Sequence, residues 1–400
     1  MSAKRTTVVG ILFGGRSVEH DVSIVTGHQV MRAFDPQQYQ TVPIYIDRAG
    51  KWYSGDPLFD LKTFEKDVAS VSGVEEVVLS PNTNHHGLLI NPLASGIFAK
   101  SRVRRLDVVF PALHGTHGED GTVQGLLELA DIPYVGCGVL ASALANDKIL
   151  TKIVLSQNRI PVVDAVTFTR EEWQQSPDKT IGHILSVLKY PVFVKPATLG
   201  SSIGISRASD DESLRLAIEI ALNFDRRVLI EQALTECVEI NCAVLGSDHD
   251  ISASVLEQPI SWEQFLSFEE KYLRGSEGMK SAERVIPAPL PPQVAAQIQE
   301  IAIRAFQSID GRGTARIDFL VKGDEIYLNE INTMPGSLAF YLWQEMGMPP
   351  SEIVQRLVRL AQDAHAEKRR NTYDYKTSLV ALTAQRGLKG TKGTKRSAGS

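Results

Sequence analysis

The chain has 400 residues, a formal net charge of −5, 43% hydrophobic residues and 22% charged ones. This is a soluble composition with length for two to three domains, and its mild acidity argues against a dedicated nucleic-acid binder, though not against one nucleotide held in a local basic cleft. Three cysteines outside any metal-ligand spacing (Cys137, Cys237, Cys242), no apolar run near the ~18 residues of a membrane span and no signal-peptide layout in Met1–Gly15 point to a cytoplasmic protein without membrane contact, disulfides or structural zinc.

Thr7–Phe13 is β-branched and apolar and reads as a first buried parallel strand. The turn Gly14-Gly15-Arg16-Ser17 follows, then a helical pattern to about Phe34 and a strand over Val42–Ile46. Residues 50–100 are weakly patterned and are expected to be an irregular insertion with a short strand near Val77–Leu79. Val108–Ala112 is another buried-type strand, and Val123, Leu126, Leu127 and Ala130 recur at helical spacing. Alternating strands and helices predict an open, mostly parallel sheet in an N-terminal domain over 1–140.

A central region over 141–228 carries a helix at Lys148–Asn158 stopped by Pro161, a strand at Tyr190–Lys195 and a helix at Asp211–Asn223. A C-terminal region over 229–375 follows from strand Val228–Glu231. It holds strands Glu239–Leu245 and Ile251–Glu257, a long charged loop at 261–284 and helix Pro292–Ile309. Strands Ala315–Val321 and Ile326–Ile331 and a helix near Ser351–Ala364 complete it. Residues 376–400 form a basic tail, with five cations and no acid from Arg386 onward, expected to be disordered. The fold class is therefore α/β and α+β in three domains.

The most informative stretch is Ala315–Thr333. Arg316, Asp318 and Leu320 share one strand face, and Glu330 and Asn332 share one face of the next. The connection Lys322-Gly323-Asp324-Glu325 reads as a hairpin turn. A hairpin centred on Asp324 sets Asp318 opposite Glu330 and Arg316 opposite Asn332. Opposed carboxylates repel unless a cation lies between them, and an all-oxygen donor set suits Mg²⁺ bridging phosphates. A solvated polar sheet face is the plainer alternative that alternation alone leaves open.

Val192–Pro196 delivers Lys195 to the loop Gly200-Ser201-Ser202-Ile203-Gly204, where small residues let backbone N–H groups approach an anion. Lys148 and Lys152 add cations on a helix. Two further loops, Gly14–Glu19 and His114–Gly121, follow buried strands at the end where open α/β sheets bind ligands. Glu19 there can anchor an ammonium group. The chain has no Walker-type loop, G-x-G-x-x-G fingerprint, G-x-S-x-G elbow, H-E-x-x-H or C-x-x-C, so hydrolase, metalloprotease and thiol-redox readings lack an anchor.

In order, the stretches GGRSVEHDVS, ALHGTHGEDGTVQGLLE, NDKILTK, FVKPATLGSSIG, EKYL, ARIDFLV and YLNEINTMPGS resemble the D-alanine–D-alanine ligases of the ATP-grasp superfamily, over about Val8 to Ala364. The resemblance implies three domains with ATP clamped between the last two. By it, Lys148, Lys195 and Lys271 contact ATP phosphates with Ser202, Glu231 to Leu234 (through Gln232 and Ala233) line the adenine, and Glu239 binds the ribose. Asp318, Glu330 and Asn332 hold two Mg²⁺ (or Mn²⁺) ions. Glu19 holds the ammonium of the first D-alanine and His114 lies beside its carboxylate. Arg316 and the backbone of Gly336 stabilise an oxyanion, and Glu19, Ser201 and Tyr272 form a closing trio. The family also implies D-alanine as substrate, a homodimer and peptidoglycan precursor synthesis.

This chain departs from the family pattern after Gly336. The Thr/Ser-rich stretch that binds the second substrate's carboxylate is replaced by Ser337-Leu338-Ala339-Phe340-Tyr341-Leu342-Trp343, with Ser337 the only hydroxyl close to the motif. Phe268 stands where many members have tyrosine, and the hinge segment Thr235–Val238 is too long by one residue for the family pattern. These changes leave D-lactate, D-serine or another amine open as alternative second substrates.

Overall fold

The computed structural model describes residues 6–91, 102–248, 250–260, 284–373 and 377–386. The expected lid at 261–284 lies outside the described residues except for Arg284, and with it Phe268, Lys271 and Tyr272; residues 387–400 of the tail also lie outside. In the first region β1 (Thr7–Gly14) leads to α1 (His20–Ala33) and β2 (Tyr39–Ile46). Then come β3 (Trp52–Ser54), β4 (Glu75–Leu79), β5 (Gly87–Ile90), β6 (Arg102–Arg105), β7 (Val108–Pro111) and α2 (Thr122–Leu129).

The first sheet has seven strands in the order β6-β5-β4-β3-β2-β1-β7. Only β2-β1-β7 is parallel; β3 to β6 add on antiparallel. The expectation of a mostly parallel sheet is corrected here: β3 to β6 are short antiparallel strands that extend the sheet. They can do so because antiparallel neighbours need no helical crossover of the kind that parallel strands require. α1 packs so closely on β1 that a Cβ on Gly27 would lie 2.7 Å from Phe13 Cβ, which only glycine avoids.

Next come α3 (Val139–Asn146), α4 (Lys148–Gln157), β8 (Ala165–Thr169), α5 (Arg170–Gln175), α6 (Pro177–Val187), β9 (Val192–Pro196), β10 (Ser206–Ala208), α7 (Asp211–Leu222) and β11 (Arg227–Gln232). The second sheet is antiparallel, β10-β9-β11-β8. Its apolar face, including Val166, Val194, Val228 and Ile230, is covered by Ile181, Ile184, Leu214 and Ile218 of α6 and α7. β11 pairs with this sheet through Gln232, so the expected boundary at 228/229 would cut a strand. Ala141, Ala145 and Leu155 of α3 and α4 pack instead into the core of the third sheet.

The third sheet, β14-β13-β12-β15-β16, is antiparallel throughout. Its strands are β12 (Val238–Ser247), β13 (Asp250–Pro259), β14 (Arg284–Val285), β15 (Arg312–Lys322) and β16 (Glu325–Asn332). α8 (Pro292–Ser308) lays Val294, Ile298, Ile301, Ala305 and Phe306 on one face, against Ile240, Cys242, Val244, Ile317 and Phe319. The alternate residues Arg316 and Asp318 therefore face the other way. α9 (Phe340–Gln344), α10 (Pro350–Lys368) and α11 (Leu379–Arg386) follow. α11 shows that residues 379–386 of the expected disordered tail are helical.

Candidate active site

One cleft of ≈ 690 Å³ collects most of the expected residues: Glu19, His114, Lys148, Lys195, Ser201, Ser202, Glu231 to Leu234, Glu239, Arg316, Glu330, Asn332 and Gly336 line it. Asp318 lies just beneath, 2% exposed. Ser337 is not on the cleft wall; its backbone N–H donates instead to Thr26 Oγ1 at 3.3 Å.

The hairpin register is the expected one at the chemical positions: Asp318 faces Glu330 and Arg316 faces Asn332. It is reached by a different route. The turn pairs Lys322 with Glu325, one residue out of step with a centre on Asp324, and a β-bulge between Asp318 and Phe319 restores the offset by leaving Asn329 unpaired. The bulge turns Asn329 into the cleft, where its Oδ1 accepts from Lys195 Nζ at 3.2 Å.

Arg316 forks onto Asp318, Nε to Oδ1 and Nη2 to Oδ2 both at 2.7 Å, and Asn332 Nδ2 donates to Oδ2 at 3.0 Å. Burial pushes the Asp318 carboxyl upward, against the opposing pull of Arg316. Burial acts on Glu330 the same way, but Lys148, Lys195 and Arg316 outweigh it and hold that carboxyl below its ordinary range. Among the described residues no three His, Cys, Asp or Glu side chains form a metal-holding group. Two carboxylates and an amide oxygen fit a hard divalent cation that completes its shell with phosphate oxygens and water.

The lysines come from two elements. Asp147 caps α4 by accepting Ile149 and Leu150 N–H, and its Oδ2 receives Arg227 at 2.6 Å. This fixes Lys148 at the first helical position, with Nζ donating to Leu199 O at 2.5 Å. Burial lowers the Lys148 pKa, and the neighbouring Lys195 adds to the effect against the pull of Glu330. Lys152 lies one turn on, at the i+4 spacing that places it on the same side. Glu231, 4% exposed, bridges Lys152 at 2.8 Å and Lys195 at 2.5 Å. Burial opposes its ionisation, yet the two lysines hold its carboxyl down to about 2. Its side chain thus sets the lysines, and only its backbone is left for the adenine role. The Gln232 side chain is likewise engaged, by Lys189 and Pro191 backbone.

At the other end, Ser201 Oγ donates to Glu19 Oε1. Ser201 and Ser202 both hold positive φ, 54° and 59°, strain of about 1 kcal/mol or more each that presents the loop to the cleft. His114, 4% exposed, has both ring nitrogens engaged: Nδ1 donates to Met334 O at 2.8 Å and Nε2 accepts from Thr26 Oγ1 at 2.8 Å. The tautomer follows because a carbonyl only accepts. Burial lowers the His114 pKa, so the ring is neutral. It ties the 334–337 turn to α1 and offers a ligand only its ring surface.

Glu119 was not singled out from the sequence. Its carboxylate accepts Gly115 and Met334 N–H, both at 2.9 Å, and burial, with Glu19 nearby, pushes it up to about 8. Nothing in the run HGTHGEDG separates it from its neighbours; Lys152 was readable from its spacing to Lys148. The apolar segment after Gly336 also finds its reason here: Leu338, Ala339, Phe340, Leu342 and Trp343 are buried in the core shared with Val354, Leu357 and Val358 of α10.

A family model described as D-ala D-ala ligase N-terminus matches residues 8–137, and one described as D-ala D-ala ligase C-terminus matches residues 154–359. A D-alanine–D-alanine ligase of Bacillus cytotoxicus is 38% identical over 374 residues, covering 91% of this chain and 98% of its own. One of Ruminiclostridium cellulolyticum is 39% identical over 385 residues, covering 94% and 100%. Among solved structures, the VanG D-Ala:D-Ser ligase of Enterococcus faecalis superposes with a TM-score of 0.77 at 31% identity, covering 89% of this chain and 100% of its own. The D-alanine-D-alanine ligase of Coxiella burnetii gives 0.76 at 28%, covering 95% and 99%. This chain belongs to the D-alanine–D-alanine ligase family.

Proposed function

We propose that this chain joins two molecules of D-alanine into D-alanyl-D-alanine at the expense of ATP, as a step toward peptidoglycan precursor. The observation that carries the reading is the facing pair Asp318–Glu330 with Arg316–Asn332, set below Lys148 and Lys195 in the same cleft as Glu19 and Ser201. The names of the relatives favour D-alanine as both substrates. Among the described residues no helix is long and apolar enough to cross a membrane, in keeping with work in the cytoplasm; a homodimer is the family's expected state.

The chemistry follows from charge. A carboxylate does not acylate an amine, because oxide is too poor a leaving group. Transfer of the γ-phosphoryl group to a D-alanine carboxylate oxygen gives D-alanyl phosphate and ADP. Two anions must approach for this, and Lys148, Lys195 and Arg316 supply the opposing charge. Divalent cations held by Asp318, Glu330 and Asn332 would neutralise phosphate charge when bound. Glu19 holds the donor's ammonium, oriented by the Ser201 hydroxyl. The amine of a second D-alanine then attacks the acyl carbon, and Arg316 with the Gly336 N–H stabilises the oxyanion. Phosphate leaves, the amine gives up its proton and the peptide bond remains. Incubation with ATP, Mg²⁺ and D-alanine is expected to give a dipeptide of D-alanyl-D-alanine mass, one per phosphate released. ATP turnover indifferent to D-alanine would contradict the reading.

A further inference from the structure

Glu257, Asn241, Tyr341 and Arg284 have no part in the chemistry above and lie outside the set that lines the cleft, but they continue the hairpin face. Glu257, Asn241, Asp318 and Glu330 are successive register partners across β13, β12, β15 and β16, so they stand in one row on the cleft-side face. With strands ~4.8 Å apart, Glu257 is about 10 Å from Asp318. Glu257 is 3% exposed, accepts the Tyr341 hydroxyl on Oε2 and has Arg284 Nη1 3.5 Å from Oε1. The Arg284 guanidinium carbon stands 4.4 Å over the Tyr341 ring. Asn241, 4% exposed, lies between Glu257 and Asp318 with Oδ1 unpartnered. Glu257 is near enough to Asp318 for its charge to raise that carboxyl.

The second amino acid in the reaction is a zwitterion. Its amine must reach the acyl carbon near Arg316, and its carboxylate brings a full negative charge that wants a cation of its own. Lys152 and Lys195 are paired with Glu231, Lys148 is drawn to Glu330 and Leu199, Arg316 is forked onto Asp318, and Arg207 lines the cleft from β10 of the second sheet rather than from the hairpin. The segment 337–343 supplies no charge, and the Ser337 N–H is engaged by Thr26. Arg284 is held more loosely: it meets Glu257 at 3.5 Å where Arg316 forks onto Asp318 at 2.7 Å, its side chain is 33% exposed against 25%, and a guanidinium has five donors, enough to meet Glu257 and a second carboxylate together. We propose that Arg284, oriented by Glu257 and the Tyr341 ring, binds the carboxylate of the second amino acid and fixes the approach of its amine. This rests on the ligase reading and names the group that replaces the hydroxyl-rich stretch missing after Gly336. Arg284 is the binding residue; Tyr341 and Glu257 position it.

The test is initial-rate kinetics over a wide range of D-alanine concentration, where donor and acceptor saturate separately, with the KM for ATP measured alongside. Arg284→Gln is expected to raise the acceptor KM about tenfold or more and to leave the donor and ATP KM within about twofold, as for a lost bidentate carboxylate contact. Arg284→Lys, which keeps charge without the fork, should raise the acceptor KM about threefold, and Tyr341→Phe by a similar factor. If Arg284→Gln loses the wild-type thermal midpoint, the Lys variant carries the test. An unchanged acceptor KM, or acceptor, donor and ATP constants rising together, overturns the proposal and leaves the ligase reading intact. Wild-type protein that releases no phosphate with D-alanine overturns both.

Discussion

The hairpin at 316–332 and the turn at 334–343 are neighbours in chain and in space, but they serve the site by different means. The hairpin works through side chains: alternate residues of β15 and β16 put Arg316, Asp318, Glu330 and Asn332 on one face while Ile317, Phe319 and Ile331 fill the core behind. The turn works through backbone and burial. Ser337, Leu338 and Ala339 hold φ near +50° in succession, a conformation disfavoured for side-chain-bearing residues, and it persists because Leu338, Leu342 and Trp343 are locked in the core and His114 grips Met334. Chemistry carried on a regular strand is written in residue spacing; chemistry carried by a strained turn is written in contacts from distant elements.

The contrast can be broken from either side. Replacing Asp318 or Glu330 with Ala should lower kcat roughly a thousandfold, the scale of a lost group that holds transition-state charge, and chelation of divalent ions should do the same. Steady-state rates check this, and near-normal turnover would show that the hairpin face is only structural. Glu231→Gln comes next. It leaves Lys152 and Lys195 without their shared carboxylate, a loss of about 3 kcal/mol for a broken buried pair. The two lysines hold the Glu231 carboxyl down to about 2 in the fold against its ordinary 4.5, so its stabilisation is complete above about 4.5 and fades as pH falls toward 2. Thermal unfolding should show the variant weaker at pH 7 and the gap narrowing at pH 3; a gap that widens in acid contradicts the assignment.

On the turn side, His114→Phe keeps the ring but strands the Met334 carbonyl and the Thr26 hydroxyl, costing about 1–3 kcal/mol. Donor kcat/KM is expected to fall about tenfold; if only the melting temperature moves, the turn has no catalytic bearing. The smallest effect belongs to Asn329→Ala, which removes one 3.2 Å contact to Lys195 and should raise the KM for ATP about threefold, for roughly 0.5–1 kcal/mol.

The same contrast explains what the sequence disclosed. Period two over 315–332 put Arg316 and Asp318 on one strand face and Glu330 and Asn332 on one face of the next, but their pairing rested on a hairpin centred on Asp324, and the turn pairs Lys322 with Glu325 instead. The bulge at Asn329 was not legible, since two routes through the turn lead to the same facing pair. In 50–105 the strands run three to five residues, too short for alternation to stand out. Residues 165–187 hold β8, α5 and α6, whose one plain signal is the capping box Thr169-x-x-Glu172. Glu231 read as part of the adenine segment because nothing local says that Lys152, on another element, will reach its carboxylate. Glu119, Glu257 and Arg284 are placed by tertiary contacts alone.

The central claim is that this cleft activates a carboxylate as an acyl phosphate before the amine attacks, and isotope transfer tests it most directly. D-alanine labelled with ¹⁸O in its carboxylate is supplied with unlabelled ATP, and the released phosphate is weighed. The account expects one ¹⁸O in each phosphate, because the oxygen that accepts the phosphoryl group leaves with it when the peptide bond forms. Dipeptide formed with unlabelled phosphate would contradict it.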